Sequence, residues 1–294
     1  MVNETRATFL ALGAVLLWST VASAFKLSLQ YMAPIQLLAW ATLVSLLTLG
    51  VLMVVSGQHR QLLRTGRDDL LRSLVLGVCN PFLYYIVLFA AYDRLPAQEA
   101  QPLNYTWAFT LALLSIPLLR QRLSRWDVIG GLIAYAGVWV IATRGNVLAV
   151  DFANPVGVLL ALGSTVLWAL YWIGSARDSR PPLVALFSNF AVAAPIVVLA
   201  CALTAGMHVE HWQGLVGAAY VGMFEMGVAF ALWLGAMRLT RSAARIGNLI
   251  FLSPFLSLVF IRILVGEAIM ASTVVGLVLI VTGLLLQQTL RRSA

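Results

Sequence analysis

Apolar residues run along this chain in blocks of about twenty, separated by short polar connections. A helix needs roughly 20 mostly apolar residues to cross the hydrocarbon of a bilayer. Against that length the chain predicts spanning helices near 8–26, 34–55, 71–92, 97–119, 126–143, 155–174, 183–204, 213–236, 243–264 and 270–288. The connections leave no room for a soluble domain, and the longest polar stretch, Gln58 to Asp69, reads as a loop.

The basic residues supply the orientation, because loops on the cytoplasmic side collect Lys and Arg. With an even number of spans the termini share a side. That side carries Arg6; Arg60, Arg64, Arg67 and Arg72; Arg120, Arg122 and Arg125; Arg177 and Arg180; Arg238, Arg241 and Arg245; and Arg291 and Arg292. The opposite side has Lys26, Arg94, Arg144 and Arg262, so the balance is 15 against 4 and keeps its sign through every loop. Both termini are expected in the cytoplasm, and a model of eight or nine spans would break the alternation.

Composition agrees. The chain is 61% hydrophobic and 10% charged, with a mean hydropathy of +0.93, whereas a soluble domain carries about 25% charged residues. A net charge of +8 elsewhere suggests a nucleic-acid partner. Here the basic residues are scattered between apolar runs, so no nucleic-acid partner is expected. Cys79 and Cys201 both fall inside apolar runs and read as packing residues.

The first span resembles a secretory signal, with Ala22-Ser23-Ala24 as a cleavage-like site. Its basic flank is only Arg6, its apolar run is long for a signal, and the segment has an internal echo, so it is read as a retained helix. Ala11-Leu12-Gly13 with Leu17-Trp18 recurs as Ala161-Leu162-Gly163 with Leu167-Trp168, an offset of 150. Gly130 and Gly137 match Gly276 and Gly283 at an offset of 146, which also places Gln121 opposite Glu267. The expected domains are therefore two five-helix repeats, 1–146 and 147–294. An odd number of helices per repeat inverts the second copy, an architecture of secondary transporters with a substrate site at the repeat interface near mid-membrane.

An ionisable residue deep in a bilayer is a functional hypothesis by default. All six aspartates and the three histidines fall in loops or at helix ends, which leaves Glu225 near the middle of its span. Gly222, Ala229 and Trp233 share its side at helical spacing. Glu225 fits a partner for a substrate amine or a proton carrier; it equally fits a protonated carboxyl bonded to a neighbouring helix. Glu99 opens the fourth span near the outer surface, as an acid favoured at a helix N-terminus or a rim residue that attracts ammonium groups. Lys26 ends the first span, placed either to snorkel or to meet a substrate carboxylate.

Trp18, Trp107, Trp168, Trp172 and Trp233 lie within spans instead of only at the interfaces, where Trp is expected. Trp168 and Trp172 share a face with Tyr171 beside them, and Asn104 and Trp107 share another. Aromatic walls with a few placed polar groups are the usual lining of a small-molecule site; packing or lipid contact explains any single one equally well. Asn80-Pro81, Pro102, Pro195 and Pro254 fall inside spans and permit bends, whether static or moving. There is no HExxH, no acidic metal pair, no Ser–His pairing and no Walker A, so enzyme chemistry and ATP hydrolysis are not expected. No cofactor or metal is expected either.

With these residues in view, the chain resembles the drug/metabolite transporter superfamily of EamA type, and most closely the YddG-type aromatic amino-acid exporters. Leu17-Trp18-Ser19-Thr20 is similar to that group's first-helix signature. Asn104-Tyr105-Thr106-Trp107, with Glu99 five residues earlier, resembles its fourth-helix motif, and Trp168-Ala169-Leu170-Tyr171 its sixth-helix motif. Two positions depart: Ala108 stands where the fourth-helix motif commonly continues with proline, and Gln121 where the repeat often carries Glu, which Glu267 keeps. The resemblance implies an all-α integral membrane protein whose ten helices, in two inverted repeats, surround a central cavity lined by helices 1, 3, 4, 6, 8 and 9. It implies export of aromatic or neutral amino acids and related metabolites across a bacterial inner membrane.

The candidate substrate-binding residues are Trp18, Asn104, Tyr105, Trp107, Trp168, Tyr171, Glu225 and Trp233. The expected partners are that small-molecule substrate and the lipid bilayer, the chain acting as a monomer or weak oligomer. A transporter for a different solute, a cationic drug or a sugar derivative, is the nearest alternative; an intramembrane enzyme or a receptor stands further off.

Overall fold

A computed structural model describes residues 3–120, 124–148 and 154–290; Gln121, Arg122, Asp151, Arg291 and Arg292 lie outside the described residues. The described residues form helices and connections, without strands. Nine helices among them are long and apolar enough to cross a membrane: α1 (Glu4–Ser28), α2 (Pro34–Val55), α3 (Arg67–Arg94), α4 (Ala97–Leu119), α5 (Arg125–Ala142), α6 (Pro155–Ser175), α7 (Pro182–Thr204), α8 (Trp212–Leu239) and α9 (Arg245–Val265). A further helix, α10 (Ala271–Leu290), contains the shorter apolar stretch Ala271–Gln287.

Several helices begin where the chain offers caps, and two end on a left-handed residue. Asn3 accepts the Arg6 amide at 2.9 Å and starts α1, Ser124 with Asp127 starts α5 as a capping box, and Asn154 accepts the Gly157 amide to start α6. Proline occupies the first turn of α2, α6 and α7, where its missing N–H costs nothing. Arg120 and Gly266, at φ of 54° and 80°, close α4 and α9. Caps also explain why α1 and α3 start at Glu4 and Arg67, several residues before their apolar blocks. Glu4, Asp68 and Asp69 sit in the first turns, where the helix dipole favours acids.

The prolines act unequally. Asn80, at φ −146° and ψ 117°, interrupts α3 beside a cis Asn80-Pro81 bond. Pro102 precedes Thr106, where the two helical pieces of α4 meet. Pro254 follows a short 3₁₀ stretch, Leu249–Leu252, within α9. Pro195 sits in an α7 that continues as helix through it. Two further irregularities carry no proline: Val221–Val228 in α8 and Ile261–Val265 in α9 are wound as π-helix.

Large apolar side chains such as Phe9, Val55, Leu132 and Leu203 point outward and are exposed, as lipid-facing residues must be. Inside, serines and threonines return their hydroxyls to their own helix, as Ser19 does to Val15 O and Ser188 to Val184 O. α1 packs on α8 and α9, α2 on α7 and α8, and α6 on both α3 and α4.

The tightest seam joins α5 and α10. Gly130 lies against the Gly283 carbonyl and Gly137 against that of Gly276, and the contacts are reciprocal from the other side. A Cβ at any of the four would strike backbone, so only glycine lets the antiparallel helices approach this closely. Gly137→Leu or Gly283→Val should therefore destabilise the protein by about 1–3 kcal/mol, read as a lowered melting temperature in detergent. Gly163→Ala in α6, where a Cβ meets nothing within 4 Å, should leave it unchanged.

Candidate functional site: a central aromatic cavity

α1, α3, α4, α6, α8 and α9 enclose a cavity of about 360 Å³, the six helices that the resemblance implies. Glu225 stands at its wall, at the midpoint of Trp212–Leu239. The π-helical turn around it shapes this wall. Winding i→i+5 widens the turn, and Ser45 of α2 donates to the Met226 carbonyl within it at 3.0 Å. The same widening moves Gly222 off the face expected from α-helical spacing: it lies against Ala41, Val44 and Ser45 of α2. Ala229 is buried outside the lining, so of the three residues expected beside Glu225 only Trp233 shares the cavity.

One Glu225 oxygen, Oε1, accepts the Tyr85 hydroxyl at 3.2 Å, while Oε2 is buried without a partner. Asn104 reaches Ser164 Oγ through Nδ2 at 2.9 Å and lies 3.4 Å from the Tyr84 hydroxyl through Oδ1. Trp168 is the hub of the aromatic wall. It stacks on Tyr84 with centroids 4.5 Å apart and meets Trp107, Trp172 and Phe230 edge to face. Trp18 adds contacts to Phe230 and Trp233. Edge-to-face and offset pairs are the favoured arrangements of aromatic quadrupoles, so the rings hold one another upright.

Of the residues singled out from sequence, Trp18, Asn104, Tyr105, Trp107, Trp168, Glu225 and Trp233 line this one cavity. Tyr171 does not; it is buried behind Trp168, stacked on it at 5.6 Å. Sequence reasoning passed over Gln101, Tyr84 and Phe230. Gln101 carried a usable signal, a polar side chain three residues before Asn104 and so on the same helical face.

The two ends of the cavity differ. Towards the side of the termini, the lining residues Trp107, Trp172, Trp233, Met237 and Ile250 are partly exposed. At the other end Phe25, Leu88, Tyr92 and Gln101 are all under 5% exposed. Phe25 meets Phe89 and Tyr92 edge to face at 4.8 and 5.2 Å. Beyond them Glu267, in the α9–α10 connection, accepts the Ala97 and Gln98 amides at the start of α4. Gln98 answers by accepting from Met270 N and Thr273 Oγ1 at the start of α10. The cavity is thus open at one end and sealed at the other.

Two rim residues take definite places. Glu99 is 1% exposed in the first turn of α4, the helix-start acid of the two readings, and pairs with the half-exposed Arg144, whose Nε lies 2.8 Å from its Oε1, so it is no free outer attractant. Lys26 donates to the Tyr92 and Leu95 carbonyls at 2.8 and 2.9 Å, capping the end of α3; it neither snorkels freely nor faces the cavity. Among the described residues no cluster of three or more His, Cys, Asp or Glu could hold a metal.

A multi-pass helical membrane protein built around a half-open cavity is the class that fold and site define. The chain belongs to the EamA-like transporter family, whose profile matches residues 5–143 and again 155–287. It is therefore a membrane transporter of the drug/metabolite type. Among curated relatives, it is 26% identical to the "Uncharacterized transporter YvbV" of Bacillus subtilis, over 97% of this chain and 92% of that one. It is also 26% identical to the "Aromatic amino acid exporter YddG" of Ancylobacter novellus, over 96% of each. The protein of the same name from Salmonella typhimurium is 23% identical over 97% of each chain. A solved crystal structure superposes with a TM-score of 0.69 at 25% identity, covering 99% of each chain.

The asymmetry of the cavity has a direct readout. In a background lacking Cys79 and Cys201, Ala108→Cys should react with an impermeant thiol reagent from the side of the termini. Ala22→Cys, at a position 1% exposed towards the sealed end, should react far more slowly. Equal labelling of both positions from the opposite side would contradict the seal.

Proposed function

We propose that the chain is a secondary transporter that exports aromatic or neutral amino acids and related small metabolites across a bacterial inner membrane by alternating access. The observation that carries this reading is a mid-membrane carboxylate in an aromatic cavity that is open at one end only. A site that faces one side at a time is what alternating access requires, and transporter sites sit at the midplane between repeats. The names of two relatives support the solute class. In this reading Trp18, Tyr105, Trp107, Trp168 and Trp233 contact the solute's apolar body, Asn104 and Glu225 its polar end, and Tyr171 braces Trp168 from behind.

The reading includes ten spans in two inverted repeats, 1–146 and 147–294, with both termini cytoplasmic. Two features support it. The family profile matches the chain twice. The glycine seam is also reciprocal, each glycine of α5 meeting the other's match in α10, as two copies related by a twofold axis would. Reporter fusions at Arg64, Arg122, Arg180 and Arg241 should report cytoplasm, and fusions at Arg94 and Met207 the opposite side. One reversed site would break both the ten-span count and the inversion.

Transport itself is tested with the purified protein in liposomes and a panel of labelled amino acids. Aromatic members should cross faster than acidic or basic ones. Glu225→Gln keeps the shape of the side chain and removes its charge. A charge-assisted hydrogen bond contributes about 1.5–3 kcal/mol, so flux should fall roughly ten- to hundredfold. Wild-type flux in the variant would reduce Glu225 to a structural hydrogen-bonding residue.

A further inference from the structure

The acidic and basic side chains of the cavity are one-sided. Among the described residues that line it, Glu225 is the only Asp or Glu, and no Lys, Arg or His is present. The basic residues nearest the sealed end are committed elsewhere, Lys26 to two carbonyls and Arg144 to Glu99. Two fully buried acceptors in the deep part of the wall lack a partner: Glu225 Oε2, and Oε1 of Gln101, a residue 4% exposed. An unpaired donor, Trp172 Nε1, lies a turn nearer the open end than Trp168 and is neutral.

Such a wall sets a preference. An ammonium group brings three donors and a positive charge, suited to the two orphan acceptors and to the aromatic wall that includes Trp18 and Phe230. Cation–π contact in a desolvated site adds about 2 kcal/mol. A carboxylate entering the same space finds no cation, and an unpaired charge out of water is strongly penalised. A free amino acid brings both groups, so its carboxylate opposes what its ammonium gains.

We propose that the cavity recognises an aromatic ring and an ammonium group and makes no charged contact with a carboxylate, so that aromatic amines and carboxyl-masked aromatic amino acids are its better ligands. This rests on the transporter reading above for the cavity's role, and narrows its solute class to one end of the molecule.

The test is equilibrium binding to the full-length protein in detergent or lipid nanodiscs, followed by tryptophan fluorescence. Phenylalanine, its methyl ester, phenethylamine, 3-phenylpropionate and 2-phenylethanol form the panel. The ester and phenethylamine should bind at least about tenfold more tightly than phenylalanine, a gap of 1.4 kcal/mol or more, and 3-phenylpropionate should not bind. Glu225→Gln should weaken phenethylamine at least about tenfold and leave 2-phenylethanol unaffected. Phenylalanine binding more tightly than its ester and amine, measurable binding of 3-phenylpropionate, or no binding by any amine would each overturn the proposal. Should Glu225→Gln fail to fold, the ligand series on the wild-type protein decides alone. Flux of the same compounds in liposomes separates the two readings: amines that bind but do not cross leave this inference standing and remove transport, while flux of other solutes without amine binding does the reverse.

Discussion

The sealed end of the cavity depends on an exchange of helix caps. Glu267 accepts two amides from the start of α4, and Gln98, the second residue of α4, accepts an amide and a hydroxyl at the start of α10. The first amides of any helix have no partner within it. In a membrane protein, where water is scarce, each such group left bare is costly. The two helix starts meet that need from each other, and so cannot part without exposing both. Lys26 ties α1 to the end of α3 next to them by the same logic, its ammonium placed at a helix C-terminus where the dipole favours it. The aromatic plug of Phe25, Phe89 and Tyr92 is held in place by this frame.

Elsewhere many interior polar groups are occupied locally, although a few, such as the Ser23, Thr42 and Ser257 hydroxyls, lack a partner. Serine and threonine hydroxyls bond carbonyls one turn back, and Ser45 covers a carbonyl of the π turn. Among the orphaned groups, those of Glu225, Gln101 and Trp172 belong to residues that border the same space. A packed core usually pairs such groups or replaces them with apolar ones. These three have room for a ligand beside them, which supports treating the cavity as a binding site.

The helices were legible because the bilayer imposes a length on apolar runs, and the helix starts that the apolar blocks missed were set by Asn3 and by the acids of the first turns. Much of the cavity was legible too, because Glu225 and the in-span tryptophans violate the rule that lipid and core prefer plain aliphatic groups. What sequence spacing missed has a common cause. Gly222 and Tyr171 were placed by counting an ideal helix, and the count fails where tertiary contacts change the winding or turn a residue behind its neighbour. No proline marks Val221–Val228; its π turn is supported from α2 by Thr48, packed beside Gly227, and by Ser45. Glu267 could be matched to Gln121 by offset, yet its partners at the start of α4 lie 170 residues away and are set by the fold alone.

That π turn gives α8 a mechanical property of its own. A π turn stores one residue more than the helix on either side of it requires. Were Val221–Val228 rewound as α-helix, everything beyond it would rotate by about 100° and shift by about 1.5 Å along the axis. Gly222 would keep its seat on α2, while Trp233 and Met237 would swing out of the cavity wall. α8 is in this sense a screw with one slipped thread at the level of Glu225, and the phase of its terminal half is what decides which side chains form the mouth.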